Sequence, residues 1–314
     1  MLPCIIPMMQ RKSLVQTSAV SDHAALAHGP APPDVFTIDV EDWFHILGVA
    51  GAPDPTVWDT LPTRVESNFR TLLGLLTACN IKATCFTLGW VARRFPKLIR
   101  EAAELGHDIA SHGYGHRLIQ GLSRAQFRED IHMAKAAIED AIGHPVLGYR
   151  APGFSITRDT PWAHDELIRE GYSYDSSVFP ASHGHGGIPE APRHPHVIRS
   201  DAGTLIEFPV SVIDTLLGPQ CCFGGGYLRL FPLRLILAMA ERVRRDGRGV
   251  VWYIHPREID TSHPRLQMSL KRRFMSYVNL RSTTRKLKVI LLNSDFVTFR
   301  DLVTGASEPG ITAI

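Results

Sequence analysis

Cysteine is scarce in this 314-residue sequence: there are 5, an odd number, and no CxxC spacing occurs. That does not read as a disulfide framework, and a reduced, cytoplasmic setting is the expectation. Long hydrophobic runs are missing too. No stretch approaches eighteen uninterrupted apolar residues, so a membrane-spanning helix is not expected. The short apolar run Leu2–Met9 is followed by Arg11 and Lys12, the reverse of the order in a secretory signal. An excess of one charge is also lacking. Lys and Arg number 34 against 31 Asp and Glu, a net charge of +3, which is too small to point to nucleic acid. With 44% hydrophobic and 21% charged residues the chain is globular rather than disordered. What is plentiful is histidine, 15 in all, which directs attention to metal and acid–base chemistry.

The near-neutral charge conceals an asymmetry. Residues 261–294 carry eight Lys/Arg and no Asp or Glu, leaving 26 basic against 31 acidic residues elsewhere. Three parts are expected: a disordered tail over 1–33, a catalytic body over 34–260 and a basic extension over 261–314 that packs on the body. In the body, strand and helix patterns alternate as in parallel α/β folds. Strands are predicted at Val35–Ile38, Ile81–Leu88, His107–Ser111, Val146–Tyr149, Tyr172–Asp175, Leu205–Val210 and Val250–Ile254. Thr63–Glu66 and Ser123–Gln126 read as capping boxes opening helices. Gln267–Leu292 is predicted mostly helical, with Leu270, Phe274, Val278 and Leu287 facing the body.

Polar residues recur at the ends of these strands: Asp39, His112, Arg150, Asp175 and His255. In open α/β sheets and barrels the C-terminal strand ends form the active-site face. The acids of Asp39-Val-Glu41-Asp42 repel one another unless a cation or hydrogen bonds compensate. His112 and His116, four residues apart, can face one metal ion. Together with a carboxylate they suggest a site of two imidazoles and one acid, with positions left for water. Arg150 can orient a carboxylate base. Asp175 can pair with Arg150 or orient a histidine, and His255 is placed to act as a general acid. Trp43, Phe44 and Tyr227 are candidates for stacking on a sugar, whereas Trp90 and Trp252 read as core. His183, His185, His194 and His196 lie in a Pro- and Gly-rich loop read as bordering the cleft rather than binding a second metal.

The order and spacing of these motifs resemble the polysaccharide deacetylases of the NodB-homology type, carbohydrate esterase family four. Thr37-Ile-Asp39-Val-Glu41-Asp42, His112-Gly-Tyr-Gly-His116, Arg150-Ala-Pro152, Asp175 and Tyr253-Ile-His255 are similar to the family's five motifs in order, and residues 106–116 match most closely. Asp-Val-Glu-Asp-Trp-Phe, Gly224-Gly-Gly-Tyr227, Ile254-His-Pro-Arg-Glu258 and the basic segment resemble a branch with an extra C-terminal segment found in exosortase-type exopolysaccharide loci. The family's adjacent acid pair is here Asp39-Val-Glu41-Asp42, so either Glu41 or Asp42 could be the metal carboxylate. Asp42 is favoured for its shorter side chain. Gly113 stands where many members carry Ser or Thr, and Gly153 where many carry Tyr.

The resemblance implies a distorted (β/α) barrel with a C-terminal helical extension, and removal of N-acetyl groups from amino sugars of a polysaccharide. It implies a divalent metal, zinc first and cobalt or nickel next, held by His112, His116 and Glu41 or Asp42. It casts Asp39 as general base, His255 as general acid, and Arg150 and Asp175 as supports. Gly153 and Phe154 would line the oxyanion and substrate side. The expected partner is an N-acetylated polysaccharide or oligosaccharide, not nucleic acid. Residues 265–288 could meet an anionic glycan, a lipid carrier or a membrane surface. The competing readings are an allantoinase-like cyclic-imide hydrolase and an inactive glycan-binding assembly protein.

Overall fold

The structure, a computed structural model, describes residues 32–182, 184–216 and 218–305. The expected tail is outside the described residues but for its last two positions, as are His183 of the loop and the end of the basic extension. The chain runs β1 (Asp34–Val40), α1 (Val65–Ala78), β2 (Thr84–Thr87), α2 (Gly89–Arg94), α3 (Pro96–Glu104), β3 (Asp108–Ser111), α4 (Arg124–Ile142), β4 (Gly148–Tyr149), α5 (Trp162–Arg169) and β5 (Tyr174–Asp175). It continues through β6 (His196–Ser200), β7 (Gly203–Glu207), β8 (Val212–Thr215), β9 (Gly218–Cys221), α6 (Gly225–Leu230), α7 (Leu233–Arg245), β10 (Val251–Ile254), α8 (Leu270–Tyr277), α9 (Thr283–Leu292), β11 (Phe296–Val297) and α10 (Phe299–Thr304).

The main sheet has the strand order β10-β1-β2-β3-β4-β5-β7-β6, parallel except for the β6–β7 hairpin, and β11 adds to β1. It is the distorted α/β barrel expected. Its hydrogen-bonded path among the described residues stays open, and the return toward β10 runs through Ser211, whose hydroxyl accepts the Val251 N–H. Alternation along β1 sorts side chains between two cores. Phe36, Ile38 and Val40 point outward into the large core beneath the helices, while Val35 joins an inner core with Phe86, Ala110, Tyr174, Phe208, Val251 and Phe299. Thr37 and Asp39 share that inward side. Phe299 of α10 stacks on Phe208 at 4.6 Å between ring centres, so the C-terminal helix plugs the barrel.

Local signals account for many boundaries. The capping box at Ser123–Gln126 forms in full, and Gly143 ends α4 in the left-handed region. Thr63 does not cap α1. The N–H groups of Arg64 and Val65 donate instead to the Asp42 carboxylate. The basic extension departs from one continuous helix, because Asn279 at φ 50° separates α8 from α9. Leu287 is buried as expected, but Leu270 and Phe274 are 84% and 55% exposed, so α8 has no buried residue. The hairpins β6–β7 and β8–β9 were not foreseen.

One core histidine sets an acid limit on stability. His107 is buried, and its Nδ1 accepts the Ala83 N–H at 3.1 Å, which requires a neutral ring. Burial lowers its pKa to about 4. Between about pH 6.5, the value for an unperturbed histidine, and pH 4, the unfolded chain therefore binds more protons than the folded one. This contribution is complete above pH 6.5 and declines as pH falls through that window. His107→Asn, whose oxygen accepts the same N–H without titrating there, is expected to flatten the decline measured by chemical denaturation from pH 7 to 4.5. An unchanged slope would assign the decline to other groups.

Candidate active site

The strand ends bring most of the predicted residues to one place. Asp39 and Glu41 come from the end of β1, His112 and His116 from the loop after β3, Arg150 from the end of β4 and His255 from the end of β10. All are buried except His255, which is partly buried.

Glu41, His112 and His116 present three ligand atoms within 4.8 Å of one another. Glu41 Oε2 lies 2.8 Å from His116 Nε2, and no donor from outside the cluster reaches it. His112 Nδ1 is 2.7 Å from the Arg150 carbonyl. It donates there, which fixes the tautomer and leaves Nε2 as a lone pair. Burial lowers the His112 pKa to about 4, so the ring is neutral at neutral pH. A buried carboxylate oxygen whose neighbours are two imidazoles is a donor set that fits a divalent ion such as Zn²⁺.

The loop carrying the two histidines is braced by a residue that sequence reading missed. Asp130 of α4 accepts the N–H groups of Tyr114 at 2.8 Å and Gly115 at 3.2 Å. Gly113 has φ +72°, and a Cβ there would sit 2.7 Å from Asp130 Oδ2. Gly113 thus makes room for a carboxylate that holds the loop. The motif places no acid nearby in sequence, so the brace was not legible there.

Asp39 is held by Arg150, which is fully buried. Arg150 Nη1 donates to Asp39 Oδ1 at 2.8 Å and to Thr37 Oγ1 at 2.7 Å, and its other nitrogens donate to the Ser176 carbonyl and hydroxyl. Burial pushes the Asp39 pKa up, but Arg150, His112 and His255 outweigh it and hold the carboxyl below its ordinary value. His255 Nε2 stands 3.8 Å from Asp39 and 3.6 Å from Glu41, and its Nδ1 is 3.1 Å from Glu258. Burial opposes charge on this ring, yet Glu41 and Glu258 hold its pKa above the ordinary value. Glu258 was not foreseen, although its place three residues after His255 was a signal.

Other expectations are corrected. Asp42 does not join the cluster: its carboxylate accepts the N–H groups of Trp43, Arg64 and Val65 and so serves the loop and the start of α1. Its short side chain suits capping, while the longer Glu41 reaches the histidines. Asp175 neither touches His255 nor bonds Arg150. It accepts from Ser176 N and Ser177 Oγ, on the side of Glu207 and His164. Trp43 and Phe44 are buried in an aromatic cluster with Trp58 and Trp90 instead of facing a sugar, because Trp43 donates to the Pro62 carbonyl and Phe44 packs edge-on to its neighbours. Tyr227 is half-buried beside Phe231. Gly153 at φ +61° and Phe154 at φ 52° form a tight turn beside the site, in which a Gly153 Cβ would meet Leu47 and Leu118. The Phe154 ring lies against Arg150.

Residues 52–170 match the family model "Polysaccharide deacetylase". Residues 176–304 match "Domain of unknown function (DUF3473)". A peptidoglycan-N-acetylglucosamine deacetylase of Bacillus cereus is 28% identical over 96 residues, 30% of this chain and 35% of that protein. The chain spans about a third of the length of the curated relatives it matches. A Mycobacterium smegmatis structure provisionally described as a polysaccharide deacetylase superposes with a TM-score of 0.54 at 22% identity, over 86% of this chain and 88% of that one. An allantoinase gives 0.52 at 17%, over 85% and 87%. These structural similarities concern the fold. Among the described residues no helix is long and apolar enough to cross a membrane.

Proposed function

We propose that this protein is a metal-dependent hydrolase that removes N-acetyl groups from amino-sugar residues of a polysaccharide, in the assembly of an exopolysaccharide. The observation that carries the reading is the juxtaposition of Glu41, His112 and His116 with an Arg150-held Asp39 on one side and His255 between the two acids. Glu41, His112 and His116 would hold the ion, which when bound supplies Lewis-acid polarisation of the acetyl carbonyl. Asp39, ionised at neutral pH, takes the proton of the attacking water. The Gly153 backbone N–H would serve as the donor to the developing oxyanion. His255, kept protonated by Glu41 and Glu258, returns a proton to the departing amine, so that acetate and a free amino sugar leave.

The roles of the two neighbouring acids separate experimentally. Glu41→Ala is expected to lose the bound metal while keeping its melting temperature after chelation. Asp42→Ala is expected to keep the metal and lose about 1–3 kcal/mol of stability, because three backbone N–H groups are left without an acceptor. Metal analysis with thermal melting reads both. Metal loss in Asp42→Ala with none in Glu41→Ala would reverse the assignment.

The basic segment supports contact with an anionic membrane surface that carries the substrate. On α8 the exposed Leu270, Phe274 and Met275 accompany exposed Lys271 and Arg273, an amphipathic combination suited to a lipid interface. Arg272 anchors this helix to the Leu47 carbonyl, and Leu47 also borders Gly153. Vesicles with anionic lipid should retain the protein at low salt and release it at high salt, and neutral vesicles should not retain it. Equal or absent retention would remove this part of the reading.

A further inference from the structure

A second cluster of ligand atoms lies on the other side of the sheet. Asp175 pairs in register with Tyr149 and with Glu207, and Tyr149 belongs to the outer core, so both acids face the helices rather than the barrel interior. His164 of α5 meets them there. His164 Nε2, Asp175 Oδ2 and Glu207 Oε2 lie within 4.8 Å of one another, His164 Nε2 is 3.7 Å from Asp175 Oδ2, and no donor from outside the cluster reaches any of the three. Asp175 and Glu207 are completely buried and His164 is 8% exposed.

Each carboxylate anchors one oxygen and leaves the other to the cluster. Asp175 Oδ1 accepts Ser176 N at 2.9 Å and Ser177 Oγ at 2.5 Å. Glu207 Oε1 accepts Val178 N at 2.9 Å. Such outer bonds orient metal ligands. Among the described residues no Lys or Arg side chain is ion-paired to either acid. Arg150 is taken by Asp39, Thr37 and Ser176, while Arg124, Arg128 and Arg169 all go to Glu166. Two buried carboxyl groups without a cation cannot both stay ionised. One proton shared between them would satisfy two of the three atoms and leave His164 Nε2 without a partner. A dication satisfies all three.

We propose that His164, Asp175 and Glu207 form a second divalent-metal site, structural in role, for an ion that accepts mixed imidazole and carboxylate ligands such as Zn²⁺ or Co²⁺. It ties α5 to the β5–β7 ladder. It also stands directly behind Ser176 and Ser177, the first of which holds Arg150 while the second accepts the Ala151 N–H. The ion thereby steadies the segment that positions the arginine.

The proposal is independent of the active-site reading, and metal stoichiometry separates the two. The full chain, reconstituted with Co²⁺ and desalted, is expected to hold about two equivalents, Glu41→Ala about one, and Glu207→Gln about one. The melting temperature of metal-loaded Glu207→Gln should fall below that of wild type, and the difference should vanish after chelation. A single equivalent in wild type that disappears in Glu41→Ala would overturn the proposal. So would Glu207→Gln with unchanged metal content and chelator response, the behaviour of an acid pair sharing a proton. Should Glu207→Gln fail to fold, the wild-type and Glu41→Ala counts decide alone. Two equivalents in Glu41→Ala would contradict the first site and leave the second standing.

Discussion

Asp39→Asn is expected to lower kcat by at least about two orders of magnitude, with metal content and fold retained. A positioned general base contributes roughly 10²- to 10⁴-fold, and Asn keeps the shape and the acceptor oxygen toward Arg150 while losing the basicity. Asp39 is suited to the role because Arg150 holds one oxygen at 2.8 Å, leaving Oδ2 on the side of His255. His255→Ala should cost a comparable factor through loss of the proton donor. Glu258→Gln, which removes one of the two acids that favour the protonated ring, should move the alkaline limb of the kcat profile to lower pH with a smaller loss at the optimum. Metal-loaded Asp39→Asn with near wild-type turnover would show that the base lies elsewhere.

Arg150→Met should be the most destabilising single change at the site. The guanidinium is completely buried and makes four hydrogen bonds. Its removal leaves the buried Asp39 carboxylate unpaired, and breaking a buried pair from one side costs about 3–5 kcal/mol. Denaturant unfolding measures the loss. The double variant Asp39→Asn/Arg150→Met should recover part of it, since no charge then remains stranded, and the departure from additivity reports the pair. A strictly additive double variant would mean that the two groups do not stabilise each other.

How far the sequence led depends on whether the controlling contact is local. The helix at Arg124–Ile142 was legible because Ser123, Gln126 and Gly143 cap it from within a few residues. The strands that end in Asp39, His112, Arg150 and His255 were legible because buried parallel strands are short apolar runs closed by polar residues. Asp42 misled because its contacts with Arg64 and Val65 lie more than twenty residues away, so a capping role looked like a ligand role. Asp130 and Glu207 passed unnoticed for the same reason, each reaching its partners only across the fold. Trp43 and Phe44 follow the acid cluster directly, yet the chain turns at Asp42 and carries both rings into the core. Leu270 and Phe274 have helical spacing, and spacing alone does not say whether an apolar pair meets the protein or something outside it.

The proposed N-acetyl hydrolysis depends on the Glu41–His112–His116 cluster. The direct test is acetate release by the full chain across a panel of N-acetylated amino-sugar polymers, with chelator and after restoring Zn²⁺ or Co²⁺. Release from at least one polymer is expected, abolished by chelation, restored by metal and absent in His112→Ala. No acetate from any polymer with metal-loaded protein, together with ring opening of a cyclic imide, would contradict it.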